Sequence, residues 1–248
     1  MKTFISQTKY LPAVVFWLAL WHFASLAIAH DIILVSPIAA IVRLFQLSAT
    51  LQFWASIGTS LARIVLGFVF SLILGVLIAG LTAKYNWLYT LFLPAVSAIK
   101  AVPVASFTIL AILWIGTANL SVFIAFVTVF PIAFFNTYSG VKNTDTKLLE
   151  MSRIFCVPLR RVVLKIYVPA VLPHVISAAA SGLGFAFKAG IAAEIIGLAR
   201  GTIGFSLHTA RVFLQTADVL AWTIAIVLLS FVIEKIFAAG LKGAQKWL

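Results

Sequence analysis

The sequence predicts an all-α, polytopic integral membrane protein of about six transmembrane helices, and three observations carry that expectation. First, 63% of the 248 residues are hydrophobic and only 10% are charged, whereas a soluble domain carries roughly 25% charged residues to wet its surface. Mean hydropathy is +1.16. Second, the apolar residues gather into blocks close to the roughly 20 residues that cross a hydrocarbon core about 30 Å thick. Third, 18 Lys and Arg stand against 6 Asp and Glu, a net charge of +12, and these bases flank the blocks. That placement points to membrane orientation and not to nucleic acid, for which no run of aromatics and bases is present. A soluble enzyme, a disordered tail and a secreted disulfide scaffold are excluded. Cys156 is the only cysteine, so no intrachain disulfide can form.

The blocks follow in order. The first runs from about Leu11 to Ala29. Lys2, Lys9 and the small residues of Ala27-Ile28-Ala29 also resemble a signal peptide. The run is longer than the usual ~7–15 apolar residues and carries Trp17, Trp21 and His22, which favours a retained span. A short outer helix follows, with Ser36 suited to the N-cap and Pro37 to the first helical position. Its Ile38, Ile41, Val42 and Phe45 share one face, expected to pack on the bundle. The second block covers Leu61 to Ala83. The third covers Trp87 to Ile115 and is interrupted by Pro94 and Pro103. The fourth covers Leu120 to Tyr138, the fifth Val168 to Phe187 and the sixth Val219 to Ala239. One transmembrane domain, 1–248, with a core over about 51–243, is the expected organisation. Trp87, Trp114 and Trp247 suit interfacial anchoring.

Lys2, Lys9, Lys84, Lys142, Lys147, Arg153, Arg160, Arg161, Lys165, Lys235, Lys242 and Lys246 fall on one side of these blocks. The opposite loops hold Arg43, Arg200 and Arg211, with Arg63 near the start of the second block. The positive-inside rule then places both termini and the loop between the fourth and fifth blocks in the cytoplasm.

That loop, about residues 142–167, is the informative segment. Thr144 or Asp145 can cap a short helix from Thr146 to Phe155. Leu149, Ile154 and Phe155 supply apolar contacts to it. Cys156 and Val157 interrupt it, and Pro158 suits the start of a second short helix holding Arg160, Arg161 and Lys165. Pro169 and Pro173 lead on to the fifth block. Two short helices on the inner face form either a docking element for a partner or an amphipathic loop held to anionic lipid by its bases.

Charges at membrane depth are costly and usually face a cavity or a partner. Lys100, Lys188 and Glu194 lie within apolar stretches. Lys100 and Lys188 would create a positive potential for an anion. Alternatively, Lys188 and Glu194 neutralise one another, and Lys100 reaches the inner surface along its aliphatic stem. Asn136 and Ser139 line an inner gate or hydrogen-bond across helices. His22, His30, His174 and His208 lack a metal-ligand spacing, so no metal site and no cofactor are expected.

The loop resembles the EAA loop of bacterial ABC import permeases. That pattern places Glu-Ala-Ala, then glycine after three more residues, then an Ile-x-Leu-Pro-like end. Here it reads Glu150-Met151-Ser152, Cys156 and Ile166-Tyr167-Val168-Pro169. Cys156 at the glycine position is the serious departure, because glycine enters φ > 0 without steric cost. The segments AIKAVPVASFTILAILWIGTANLS and FKAGIAAEIIGLARGTIGFSLHTARVFLQTADVLAWTIAI resemble the nitrate, sulfonate and taurine branch of these permeases. The resemblance implies a type I importer permease fold, a pathway formed by two permease copies, separate ATP-binding cassette subunits and an external solute-binding protein. It assigns coupling to Glu150, Met151, Ser152, Arg153, Ile154, Phe155 and Cys156. It places Lys100, Asn136, Ser139, Lys188 and Glu194 as candidates along the pathway. The chain has no G-x-x-x-x-G-K-[ST] phosphate loop of its own. Relatives carrying thiamine-precursor pyrimidines or riboflavin keep the substrate open. A gradient-driven carrier or channel and an intramembrane enzyme are the alternatives of other classes.

Overall fold

The computed structural model describes residues 11–28, 30 and 32–245. Lys2, Lys9, Ala29, Lys246, Trp247 and the side chain of Lys242 lie outside the described residues. The helices are α1 (Leu11–Ile28), α2 (Pro37–Ser48), α3 (Leu51–Lys84), α4 (Asn86–Ala101), α5 (Val104–Ile115) and α6 (Leu120–Lys142). They continue as α7 (Thr146–Ile154), α8 (Leu159–Val162), α9 (Val168–Gly197), α10 (Ile203–Val212) and α11 (Thr216–Gln245), with a π turn at Val163–Tyr167 between α8 and α9. No strand occurs among the described residues.

The core is a stack of α3, α6 and α9, with α6 in the middle. Small residues bring these helices together, as expected where lipid supplies no hydrophobic drive between helices. A Cβ at Gly67 would lie 2.2 Å from the Val122 carbonyl oxygen, and one at Gly75 would lie 2.6 Å from the Ala133 Cβ. The buried apolar cluster of Ile64, Phe68, Ala125, Val129, Leu183, Ala186 and Phe187 fills the stack.

Among the described residues, four helical stretches are long and apolar enough to cross a membrane: α3, α6, the continuous Leu159–Gly197 helix and α11. The third expected block is not straight. It bends by 108° between α4 and α5, at Val102-Pro103, while Pro94 sits inside α4 without breaking it. The pair nevertheless runs the length of α6. Tyr89 stacks on Tyr138 at one end, with centroids 4.2 Å apart, and Ala111 packs with Leu120 and Ile124 at the other. It is therefore one broken crossing. The 18-residue α1 extends about 27 Å at 1.5 Å per residue, at the lower end of spanning length.

Three further expectations are corrected. The α2 cap is as expected, with Ser36 Oγ accepting from the Ala39 N–H at 3.3 Å. Its Ile38, Ile41, Val42 and Phe45 face, however, is exposed, and Pro37 and Ala40 are the buried positions. Leu44 and Leu47 supply the packing face, while Arg43 pairs with Asp218 at the start of α11. The second short loop helix is not separate: α8 continues through the π turn into α9 as one 39-residue helix. Pro169 lacks an N–H and would clash with the carbonyl of Lys165 in a regular helix. The wider π turn, in which the Val168 N–H reaches the Val163 carbonyl, absorbs that strain without ending the helix. Finally, α3 begins at Leu51 rather than near Leu61, because Thr50 caps it by accepting from the Phe53 N–H at 3.3 Å.

Candidate coupling loop and translocation face

At the end of α6, Thr144 Oγ1 donates to the Gly140 carbonyl at 3.2 Å. Asp145 then caps α7, its carboxylate accepting from the Lys147 N–H at 2.8 Å. Ser152 alone of the seven coupling candidates is buried, and its hydroxyl donates to the Leu149 carbonyl at 2.7 Å. Glu150, Met151, Arg153, Ile154, Phe155 and Cys156 are exposed. Ile154 and Phe155 are 78% and 73% exposed, so their apolar side chains are left free for contacts outside the chain. With Met151 and Leu159 they form an apolar patch at the end of the bundle where the bases gather. That patch flanked by Glu150, Arg153, Arg160 and Arg161 has the composition of a docking surface.

The turn out of α7 is a Schellman motif. The Cys156 N–H bonds the Arg153 carbonyl at 3.0 Å, and the Val157 N–H bonds the Ser152 carbonyl at 2.9 Å. This motif needs a left-handed residue at its centre, and Cys156 takes it with φ +48°. The cysteine thus keeps the turn a glycine would make.

At the opposite end, Glu194 is fully buried. Its Oε2 accepts from Ser60 Oγ at 2.7 Å and from the Gly204 N–H at 3.2 Å. Ser60 Oγ in turn accepts from the Ile203 N–H at 2.9 Å, and Thr202 Oγ1 from the Phe205 N–H at 3.2 Å. The free amides at the start of α10 are thereby capped from α3 and α9. A Cβ at Gly204 would meet the Glu194 Cβ at 2.4 Å, so only glycine permits this approach. Glu194 makes no pair with Lys188, which corrects the expected neutralisation: Lys188 is exposed on the other face of α9. Sequence reasoning missed Ser60, which lies 134 positions from Glu194, and Gly204, whose ten-residue separation is bridged only by the turn between α9 and α10.

Lys100 is exposed at the end of α4, its Nζ 5.5 Å from the centroid of the Phe135 ring. Phe135 lies seven residues before Lys142, the end of α6, so the ammonium stops about 10 Å short of that end. Lys100 and Lys188 have no carboxylate within ion-pair distance among the described residues. The Asn136 Nδ2 donates to the Ile132 carbonyl at 2.8 Å, and Ser139 Oγ accepts from Asn143 at 3.4 Å; both bonds stay within α6 and its cap, which corrects the expected bonding across helices.

The family model of binding-protein-dependent transport system inner membrane components matches residues 71–239. The chain belongs to this family. The permease is 30% identical over 215 residues to SsuC of Bacillus subtilis, named as an aliphatic sulfonates transport permease, covering 85% of this chain and 76% of that one. It is 23% identical over 232 residues to the taurine transport system permease protein TauC of Escherichia coli, covering 91% and 82%. It is 26% identical over 191 residues to the formylaminopyrimidine transport permease protein ThiX of Halalkalibacterium halodurans, covering 76% of each. Among solved structures, it shares a fold with the inward-facing MetNI methionine ABC transporter. The TM-score is 0.52 and the identity 18%, over 75% of this chain and 93% of that one. The permease is thus a multi-pass inner-membrane component of an ABC importer, working with an ATPase and a binding protein, and not an enzyme.

Proposed function

We propose that two copies of this permease form the pathway of an ATP-driven importer for a small organic sulfonate, either a simple anion or the zwitterion taurine. Separate ATP-binding subunits dock on Glu150–Cys156. The carrying observation is the exposed α7 patch held by a Schellman turn against the foot of a 39-residue helix. A displacement at the foot of a continuous helix is felt along its length, about 58 Å at 1.5 Å per residue. Nucleotide closure on the loop moves α8–α9 as a rod, and the pathway alternates between its two openings. The relatives named for sulfonates and taurine support the sulfonate group, as do Lys100 and Lys188, unpaired among the described residues. Asn136 and Ser139 mark the inner end of that route, and Glu194 holds its outer end in shape. The bases gathered at the α7 end support cytoplasmic placement of the loop and both termini. The formylaminopyrimidine relative favours a second reading, a thiamine-precursor pyrimidine as cargo.

The test reverses the loop's charge. In reconstituted vesicles, Glu150→Lys should leave insertion and ATPase turnover intact and reduce ATP-driven uptake by about tenfold or more, the size of a lost charge-assisted contact. Wild-type uptake by this variant would refute the docking assignment. Uptake without any ATPase subunit would favour a gradient-driven carrier.

A further inference from the structure

We propose that the cavity at the α4–α5 break is a substrate-binding site within the permease, and that it takes a monoanion carrying an apolar body, such as an alkyl or aryl sulfonate or carboxylate. The inference rests on the importer reading and narrows its cargo.

The cavity measures about 330 Å³, and its lining includes Lys100, Phe107, Ile124, Val127, Thr128 and Phe185. It lies opposite Ile124–Ile132, the middle of α6, and so at the depth where charges and free amides need a partner. Two independent features there select an anion. Lys100 is the one charged residue of the lining. The amides of Val104, Ala105 and Ser106 open α5 behind Pro103, which provides no side-chain cap; the Pro103 carbonyl serves only the Phe107 N–H further on, at 3.1 Å. Uncapped amides at a helix start carry partial positive charge and bind anions. Val102 and Val104 both line the cavity, so this start of α5 borders it.

The rest of the wall selects against a small or zwitterionic guest. The Thr128 hydroxyl already donates its proton to the Ile124 carbonyl at 2.7 Å. The remaining side chains are apolar, and no carboxylate among the described residues lines the cavity. An ammonium such as that of taurine meets Lys100 without a counter-charge, and nitrate leaves the apolar wall unfilled. At about 30 Å³ per water volume the space holds about eleven waters, or an organic guest of roughly ten non-hydrogen atoms. Phe185 and Lys188 stand three residues apart on α9 and are neighbours on its surface. Lys188 therefore offers a second cation one turn nearer the Glu194 end, on the way in.

The experiment uses the full permease with its ATPase subunits in nanodiscs, without the binding protein, and measures binding by calorimetry. The probes are 1-hexanesulfonate, taurine and hexyltrimethylammonium. The expected order is hexanesulfonate tightest, with the other two about tenfold weaker or more. Lys100→Gln should weaken hexanesulfonate by about tenfold, the size of one hydrogen bond to a charged group, while Lys100→Arg restores it. Phe185→Ala should weaken hexanesulfonate and leave methanesulfonate unchanged. Taurine or the cation binding as tightly as hexanesulfonate overturns the proposal, and so does unaltered binding in both Lys100→Gln and Phe185→Ala. Uptake in the same preparation separates the two readings. ATP-dependent uptake without the probe preference overturns only this inference, whereas uptake independent of ATP overturns the importer reading beneath it.

Discussion

Cys156 carries a conformational load that its neighbours do not. Its φ of +48° places Cβ against the following carbonyl, at a cost of about 1–2 kcal/mol for a non-glycine residue. The Schellman bonds of Cys156 and Val157 offset it and keep Phe155 and Ile154 outward. Cys156→Gly should stabilise the loop by about 1 kcal/mol, read as roughly fivefold slower hydrogen exchange at the Val157 amide. Cys156→Val should act oppositely, because a β-branched side chain resists positive φ most strongly. It should lower ATP-driven uptake while the amount inserted stays constant. Equal exchange rates in all three proteins would show that this turn bears no strain.

Three elements depend on one carboxyl group. Glu194 on α9 and Ser60 on α3 together cap the Gly204 and Ile203 amides at the start of α10. With Glu194→Ala, the Gly204 amide and the Ser60 hydroxyl remain buried without that acceptor, at a cost of about 1–3 kcal/mol. Glu194→Gln keeps an amide oxygen for the same donors and should lose less. Thermal unfolding of the purified permease distinguishes the two, with the alanine variant expected to melt several degrees lower. Identical melting of all three proteins would remove Glu194 as the tie. The continuous α8–α9 helix connects this tie to the candidate coupling loop, since the π turn before Pro169 carries the helix past two prolines.

For the whole molecule, the decisive quantity is sidedness. Cys156 is the only cysteine and is exposed, so it reports the position of the loop without engineering. A membrane-impermeant maleimide should label it in inverted vesicles and not in intact cells. Assembly with the ATPase subunit should slow that labelling by about tenfold or more, because a docked interface excludes solvent from its centre. Labelling from the outside of intact cells would reverse the proposed orientation. In the proposed orientation the C-terminal half of α11 should share the loop's side, since α9 leads into α10 and α11 leads away from it.

Much of this architecture is legible in the residues themselves. Apolar block length determines which segments cross, because the bilayer has one thickness and every backbone group must be satisfied within the segment. Local capping chemistry determines where α2 and α7 begin, since Ser36 and Asp145 act on amides three and two residues away. The loop pattern around Glu150 is likewise contiguous. Other features depend on residues distant in the chain. Glu194 could pair with Lys188 or with Ser60, and only the stacking of α3 on α9 decided for Ser60. Pro103 marks the interruption locally, but the 108° size of the bend, the cavity it opens and the outward turn of the α2 apolar stripe follow from how helices pack. Hydrophobicity in one dimension states that a side chain avoids water, and within a membrane both lipid and a neighbouring helix meet that need, so tertiary packing alone chooses between them.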